Sequence, residues 1–323
     1  MRPVVLTLAV LATLGLAGAA AVVGLGLYNV SARAGHFPGV SWVLHTTFRN
    51  SVRLRAPSME EAPDLDDPDL IALGAGHYAS ACAMCHATPG SARSATARAM
   101  VPAPPPIEAA VADWRPNELH WIVENGIKMS GMPGWPTGDR GDEVWAVVAW
   151  LVSVKAGRVA PVPAADLDGG AYCQSCHGSV AGPVPRLDIL QPGYTAAQLR
   201  AYLAGERASG IMAQAASVVP PDRFDDLAAE LSRGLSVELA QGDGRGAELA
   251  RRGTRDVPAC LACHGGEASK GPALAGQPEV YLAGQLRLWR EGVHDHNALM
   301  QAAARDLTDD DIAALAAYFA GAR

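Results

Sequence analysis

The sequence is short of positive charge, of aromatic residues and of cysteine. Its 323 residues contain 26 Lys and Arg against 33 Asp and Glu, which gives a formal net charge of −7. This balance argues against a nucleic-acid partner, because nucleic acids select basic surfaces. Aromatic residues make up 6% of the chain but hydrophobic residues make up 49%, so most of the chain can fold. The length predicts two to three domains.

The chain has six cysteines, and every one of them belongs to a C-x-x-C-H motif. This pattern is the attachment signature of a c-type haem. The two thiols add across the haem vinyl groups, and the adjacent histidine becomes the proximal ligand of the iron. The sequence therefore predicts three covalently attached haems. The motifs consist of Cys82, Cys85 and His86, of Cys173, Cys176 and His177, and of Cys260, Cys263 and His264.

Other interpretations of a C-x-x-C pair stay open for any single copy. Two thiols at this spacing can form a redox-active disulfide. A zinc site can be built from two such pairs, or from one pair plus histidines, and one short motif can arise by chance. None of these alternatives gives a reason for a histidine after every pair, so the threefold repetition favours haem.

Residues 1–30 form an apolar N-terminal region. Within it, Val4–Tyr28 is a run of 25 residues without a charged side chain. A cleaved signal peptide has an apolar core of about 7–15 residues, whereas a membrane-spanning helix needs about 20. We expect an uncleaved transmembrane anchor, with a signal peptide cleaved near residues 17–20 as the alternative.

Residues 31–67 are expected to hold an amphipathic helix and a linker. In residues 41–56, Leu44, Phe48 and Val52 recur at every fourth position, beside a stripe of basic side chains. Such a helix can lie on the membrane surface against anionic head groups. It can equally pack its apolar stripe on the first haem domain, and the sequence leaves both options open.

Three polar stretches rich in proline or glycine divide the remaining chain, at residues 59–70, 156–170 and 232–246. Each of the intervals between and after them contains one C-x-x-C-H motif. We therefore predict three cytochrome-like domains, which we call the first, second and third segments. They comprise residues 68–157, 165–235 and 240–323.

A histidine on one side of the haem iron leaves the sixth position open, and in electron carriers this position is often filled by a methionine sulfur. The methionines predicted for this role are Met132, Met212 and Met300. The last two follow their motif histidines by 35 and 36 residues, which suggests a duplicated domain. The alternative for any methionine is core packing, since this side chain fills irregular gaps, and we assign neighbouring Met129 to packing.

Histidines outside the motifs are alternative ligands. His294 and His296 lie shortly before Met300, and either could replace it to give a bis-histidine haem. His120 lies in a predicted amphipathic helix, where a packing or surface role is expected. Loss of the sixth ligand is also conceivable at Met212, because the second segment has a short leading helix.

The second and third segments share further features that support a duplication. Both contain Gln-Pro followed by a tyrosine and by Gln-Leu-Arg, and both have a Gly-Pro pair after the haem motif. Each ends in a helix with acidic residues in its first turn. In the third segment Thr308 is the predicted N-cap of that helix.

Residues 68–321 resemble the class I cytochrome c superfamily. The first segment is similar to single-haem bacterial membrane cytochromes through Cys82, Cys85, His86 and the stretches NGIKMSGMPGW and DEVWAVVAWLV. In that family the methionine of Gly-Met-Pro is the ligand, which selects Met132. The second and third segments resemble the two-domain c-four type of bacterial cytochrome c. The third segment matches it through the stretches CLACH, GPALAGQ and NALMQAAARDLTDDDIAALAAYFA.

The resemblance implies an all-α fold, with an N-terminal transmembrane helix before three haem domains. A helix before the haem motif should cross the C-terminal helix of its domain through glycine and aromatic contacts. The resemblance also implies that a backbone carbonyl near a proline orients each proximal histidine. The implied residues are Gly74, Gly76 and Tyr78 against Trp145 or Trp150 for the crossing, and Pro183 and Pro272 for the carbonyls.

The resemblance further implies location and function. Bacterial c-type cytochromes acquire their haem outside the inner membrane, so we place the segments in the periplasm. By charge alone, Arg33, Arg49, Arg53 and Arg55 after the anchor would favour the cytoplasm for this side. Haems with both axial positions filled bind no substrate. The expected function is single-electron transfer between a quinol-oxidising complex or dehydrogenase and a terminal oxidase, reductase or soluble carrier, with no catalytic residue. The alternatives are a cytochrome subunit of an alcohol or sugar dehydrogenase, and a haem enzyme or gas sensor with one open iron.

Overall fold

The structure is a computed structural model that describes residues 2–128, 130–158, 169–178, 180–233, 237–239, 242–265 and 271–322. All regular secondary structure in these ranges is helical, so the predicted all-α class is confirmed. Buried apolar side chains form separate clusters within the three segments, with a smaller cluster between the first and second segments. The chain therefore has several small cores.

The N-terminal region forms helix α1 (Arg2–Gly24), which has no buried residue. Among the described helices it alone has the length and apolar composition to cross a membrane, a property that a signal sequence shares. Helix α2 (Val40–Arg55) follows. Its C-terminal half packs on the first segment, because Val52 is fully buried and the Phe48 ring lies 5.4 Å from that of Trp114. Its N-terminal half is exposed, with Trp42 71% accessible.

The first segment is built around the crossing of its first and last helices. A Cβ at Gly74 would lie 2.0 Å from the Ala146 carbonyl oxygen, so only glycine permits this approach. The Tyr78 ring packs on Trp150 with centroids 4.1 Å apart. The helices are α3 (Pro68–Ala81), α4 (Ala83–His86), α5 (Ala95–Ala99), α6 (Ile107–Val111), α7 (Pro116–Asn125) and α8 (Gly141–Lys155).

The predicted crossing is confirmed for Gly74 and Tyr78 against Trp150. The prediction is wrong for Gly76, which faces Cys176 of the second segment, and Trp145 packs on the His120 ring. The linker predicted for residues 59–70 is shorter than expected. Asp67 caps α3, so the helix already begins at Pro68. Met59–Glu61 forms a short 3₁₀ turn within the remainder.

The second and third segments repeat one order of helices. In each, a long helix is followed by a short helix that carries the predicted methionine ligand and by a last helix. Thr308 caps the last helix of the third segment, as predicted. The helices are α9 (Gly170–His177), α10 (Pro192–Ala204), α11 (Gly210–Ser217) and α12 (Phe224–Leu231), then α13 (Arg245–Arg251), α14 (Leu261–His264), α15 (Glu279–Arg290), α16 (Ala298–Ala304) and α17 (Asp309–Ala320).

Gln277 joins the second and third segments. Its side chain is buried, accepts a hydrogen bond from the Arg186 backbone N–H at 2.9 Å, and donates one to the Arg186 carbonyl at 2.9 Å. The predicted break at 156–170 lies largely outside the described residues and the break at 232–246 partly so, and the segment boundaries at 165, 235 and 240 lie outside them. The division into three domains therefore stays a prediction.

Candidate functional site

The three C-x-x-C-H motifs lie on single helical turns. In the first motif the His86 N–H donates to the Cys82 carbonyl at 3.0 Å, and in the third the His264 N–H donates to the Cys260 carbonyl at 3.0 Å. The second motif is the C-terminal end of α9. A helical turn of this kind places two thiols three residues apart on one face. None of the six cysteines forms a disulfide.

Each motif histidine makes the same hydrogen bond through its Nδ1 atom. The acceptor is a proline carbonyl, and a carbonyl can only accept, so Nδ1 carries the proton. The lone pair of Nε2 is then free for a metal. Burial lowers the pKa of all three imidazoles, which keeps them neutral at neutral pH. The bonds run from His86 to Pro105 at 2.8 Å, from His177 to Pro185 at 2.8 Å and from His264 to Pro272 at 2.9 Å.

The predicted role of the Pro272 carbonyl is confirmed, whereas that of Pro183 is wrong. Pro185 takes the role in the second segment, eight residues after His177, as Pro272 is eight residues after His264. The Gly-Pro pair at Gly182 comes earlier in its loop than the pair in the third segment. Spacing from the histidine, not the dipeptide, identifies the equivalent residue.

One cavity brings together the predicted ligands of the second segment. It is lined by both thiols of the motif, by His177 and by Met212, and its walls include Leu199 and Leu227. Met212 is half-buried, and its backbone N–H donates a hydrogen bond to the Ser209 hydroxyl at 3.1 Å. Two thiols, an imidazole and a thioether around an apolar cavity fit a c-type haem. The axial role of Met212 stays a prediction.

The other predicted methionine ligands also lie in their expected segments. Met300 occupies the same position in α16 as Met212 in α11, and its N–H donates to the Asn297 side chain at 3.1 Å. It packs against the core of the third segment. The Met132 N–H donates to the Ser130 hydroxyl at 3.1 Å. Met129 lies outside the described residues. The structure leaves the axial roles of Met132 and Met300 as predictions.

The first segment supplies one wall of the cavity in the second. Helix α9 has only eight residues before and including His177. Helix α3 lies against it, and a Cβ at Gly76 would approach the Cys176 sulfur to 3.0 Å. Gln214 of α11 donates to the Ser80 carbonyl of α3 at 3.2 Å. The sequence reveals the short helix, but it does not reveal which part of the chain replaces the missing turns.

The first segment also contacts the helix that carries Met212. The Glu143 carboxylate accepts hydrogen bonds from the Ser209 hydroxyl at 2.6 Å and from the Gly210 N–H at 2.7 Å. Arg140 forms an ion pair with Glu143 at 2.8 Å and donates to the Ala208 carbonyl at 2.8 Å. Burial raises the pKa of Glu143, and the Arg140 charge opposes that shift. Sequence analysis missed these residues.

Two histidines outside the motifs, His120 and His294, have packing contacts. His120 is buried, lies 2.8 Å from the Gly141 carbonyl and packs on Trp145, so its predicted packing role is confirmed. His294 is buried, lies 3.3 Å from the Gln285 side chain and lines the cavity of the second segment. Burial, followed by nearby arginine charges, lowers the pKa of His294 to about 3.

Comparison with known proteins identifies the family. A family model described as cytochrome C oxidase, cbb3-type, subunit III, matches residues 69–151 and 245–319. A thiosulfate dehydrogenase electron acceptor from Stutzerimonas stutzeri is 37% identical over 167 residues, which cover 46% of this chain and 77% of that protein. Cytochrome c4 from Pseudomonas aeruginosa is 32% identical over 168 residues, covering 47% and 84%.

A solved structure of reduced cytochrome c4 from Pseudomonas stutzeri is also similar, with 30% identity and a TM-score of 0.43. The match covers 47% of this chain and 94% of that one. Family membership is established by the sequence identity to these two relatives, because the matches cover most of each relative's length. This chain belongs to the cytochrome c family, which implies covalently bound c-type haem.

Proposed function

We propose that the protein is a membrane-anchored periplasmic cytochrome with three c-type haems that carries single electrons between redox proteins. The observation that carries the proposal is the repeated hydrogen bond from the Nδ1 of each motif histidine to a proline carbonyl. This bond fixes the same tautomer three times and presents Nε2 to a metal. A bound c-type haem supplies a one-electron iron couple.

The chain's own residues have simple roles in this proposal. The six cysteines hold the haems covalently, and His86, His177 and His264 are the proximal ligands. Met132, Met212 and Met300 are the distal ligands, and thioether ligation raises the reduction potential. With both axial positions filled, no position is left for a substrate, so the protein acts as a carrier without catalytic residues.

The partners are proposed from the relatives. Two of them are named as electron acceptors of thiosulfate dehydrogenase, from Stutzerimonas stutzeri and Thiomonas intermedia. A thiosulfate dehydrogenase is therefore our proposed donor, and a dehydrogenase was one of the donor classes expected from the sequence. The similarity to a subunit of a cbb3-type oxidase supports a terminal oxidase as the acceptor.

The proposed location rests on helix α1. Its 23 residues suffice to span a bilayer, and none of them is buried. The exposed Trp42 at the start of α2 suits the membrane interface, where tryptophan is enriched. We propose that α1 is retained as an anchor and that the three segments lie on the periplasmic side.

The test is a redox titration of the purified full chain, followed by absorption, with carbon monoxide added to the reduced protein. Peptide mass spectrometry should find haem on all three motifs. Three high-potential transitions without carbon monoxide binding are expected. Binding of carbon monoxide would instead show an open iron and favour a haem enzyme or sensor, and a motif peptide without haem would contradict the three-haem proposal.

The donor is tested separately by mixing the oxidised protein with a thiosulfate dehydrogenase and thiosulfate. Reduction of the haems that depends on both additions is expected. Absence of reduction would reject this donor without affecting the haem assignment.

The distal ligands are tested by replacing Met132, Met212 or Met300 with alanine. Each replacement should lower the reduction potential of one haem by more than about 60 mV, which is over tenfold in the equilibrium constant.

A further inference from the structure

Arg207 is a buried cation at the junction of the second and third segments. Its side chain is only 7% exposed. The guanidinium donates to the Gln198 side chain at 2.6 Å and to the Gln285 side chain of the third segment at 3.0 Å. A longer contact of 3.4 Å reaches the Tyr194 hydroxyl, and the Tyr202 ring lies 4.9 Å below the guanidinium carbon. Every one of these neighbours is uncharged.

Among the described residues, the positive charge of Arg207 has no ion-pair partner. No described carboxylate lies within the 4.0 Å ion-pair distance of its guanidinium, and its Nε–H is buried without a hydrogen-bond acceptor. Burial raises the pKa of the Tyr194 and Tyr202 hydroxyls, so these side chains do not supply a negative charge. A buried charge without a counter-charge destabilises the folded protein. The site therefore calls for an anion.

The surroundings of Arg207 identify the class of anion. Arg207 lines the same cavity as Cys173, Cys176 and His177. A c-type haem attached there brings two propionate carboxylates into the cavity, and the planar guanidinium fork is the side chain best suited to bind a carboxylate. We propose that Arg207 binds a propionate of the haem in the second segment and so sets the potential of that haem. This inference rests on the proposed haem attachment.

The consequence is electrostatic. A positive charge in a low-dielectric site stabilises the more negative, reduced form of a nearby iron. Gln285 holds the guanidinium from the third segment, so docking of that segment positions the charge. Replacing Arg207 with a neutral residue should leave a propionate unpaired and disfavour reduction.

The variants for the test are Arg207→Gln, which removes the charge, and Arg207→Lys, which keeps it. Gln285→Glu places a competing carboxylate on the guanidinium without changing the size of the side chain. Arg200→Gln is the matched control, since Arg200 is half exposed and pairs with exposed Asp225. All are made in the full chain, and haem content is counted by peptide mass spectrometry before each spectroelectrochemical titration. The transition of the second haem is identified as the one altered by Met212→Ala.

In Arg207→Gln the ratio of reduced to oxidised second haem at a fixed ambient potential should fall roughly tenfold, which is about 59 mV for a one-electron couple. Gln285→Glu should lower the potential of the second haem as well. Arg207→Lys and Arg200→Gln should change that potential much less. Unchanged potentials in an Arg207→Gln protein with three covalent haems overturn the inference and leave the proposed function standing. If Arg207→Gln does not fold, an unchanged potential in Gln285→Glu overturns it. A wild-type protein without haem at Cys173 and Cys176 overturns the proposed function instead.

Discussion

Glu143 and Gly210 are joined by a hydrogen bond of 2.7 Å that crosses from the first segment to the second. Gly210 is the first residue of α11, which also carries Met212. The Glu143 carboxylate thus accepts a free N–H at the start of a helix, where negative charge is favoured. The position of a predicted iron ligand in one segment therefore depends on a carboxylate of another.

Replacement of Glu143 by glutamine should destabilise the protein by about 3 kcal/mol, because it leaves buried Arg140 without one charged partner and replaces one of the two acceptor oxygens at the start of α11 with an NH2 group that cannot accept. The unfolding free energy is measured by urea titration. The absorption band of the methionine sulfur on iron should weaken for one haem only. The control is Asp142→Asn, which removes a half-exposed carboxylate from the same arginine and should cost less than about 1 kcal/mol. Equal losses in the two variants would contradict the cap.

Gly76→Val should impair the second haem site although the residue belongs to the first segment. The new side chain would meet the Cys176 sulfur, since even a Cβ approaches it to 3.0 Å. Overpacking of this kind costs about 1–3 kcal/mol. We expect less covalent haem on the peptide containing Cys173, with normal attachment at Cys82 and Cys260, as measured by peptide mass spectrometry.

The matched control for this prediction is Gly193→Val. Gly193 also lies in a helix of the described chain, but a Cβ there has nothing within 4 Å. This variant should attach all three haems as the wild type does. A Gly76→Val protein with full attachment at the second motif would show that α3 can move away from Cys176.

Features encoded within a few residues could be predicted from the sequence. The C-x-x-C-H turns, the apolar helix α1 and the cap at Thr308 each depend on neighbours along the chain, and the structure has the helices where they were expected. The Gly74 crossing was foreseen from the family resemblance, and the structure shows why glycine is required there: a Cβ would collide with the Ala146 carbonyl.

Contacts between segments could not be predicted. Glu143 and Arg207 lie in ordinary stretches of sequence, and their roles arise only when distant helices meet. The error at Pro183 has a related cause. A dipeptide match ignores loop length, whereas the Nδ1 of His177 needs a carbonyl at a fixed distance in space. Sequence similarity within a loop is therefore weaker information than spacing from the ligand.

Val52→Ala should loosen helix α2 from the first segment. Val52 is fully buried, and removing two methyl groups should cost about 2 kcal/mol through lost apolar contact and the cavity left behind. Urea denaturation of the full chain measures this loss. Leu54→Ala is the control, because Leu54 is 78% exposed two residues further along the same helix and should change stability by less than about 0.5 kcal/mol. A larger loss for Leu54 than for Val52 would place the opposite face of α2 on the protein.

Acid should weaken the third segment through Asp311. The hydrogen bond from Arg245, 2.7 Å from its carboxylate, holds the pKa of Asp311 below its ordinary value of 3.8. A carboxyl whose pKa is lowered by folding stabilises the folded state above the unfolded pKa, and this contribution is lost as the pH falls through the folded pKa. The urea midpoint of Asp311→Asn should therefore lie below that of the wild type at pH 7, and the two should converge as the pH falls below 3.8.

Asparagine keeps an acceptor for the Thr308 N–H, so the comparison of Asp311→Asn with the wild type isolates the effect of the charge. Asp310→Asn, which alters an exposed residue in the same turn, should follow the wild-type pH profile, and a midpoint difference for Asp311→Asn that persists in acid would show that packing and not the ion pair is responsible.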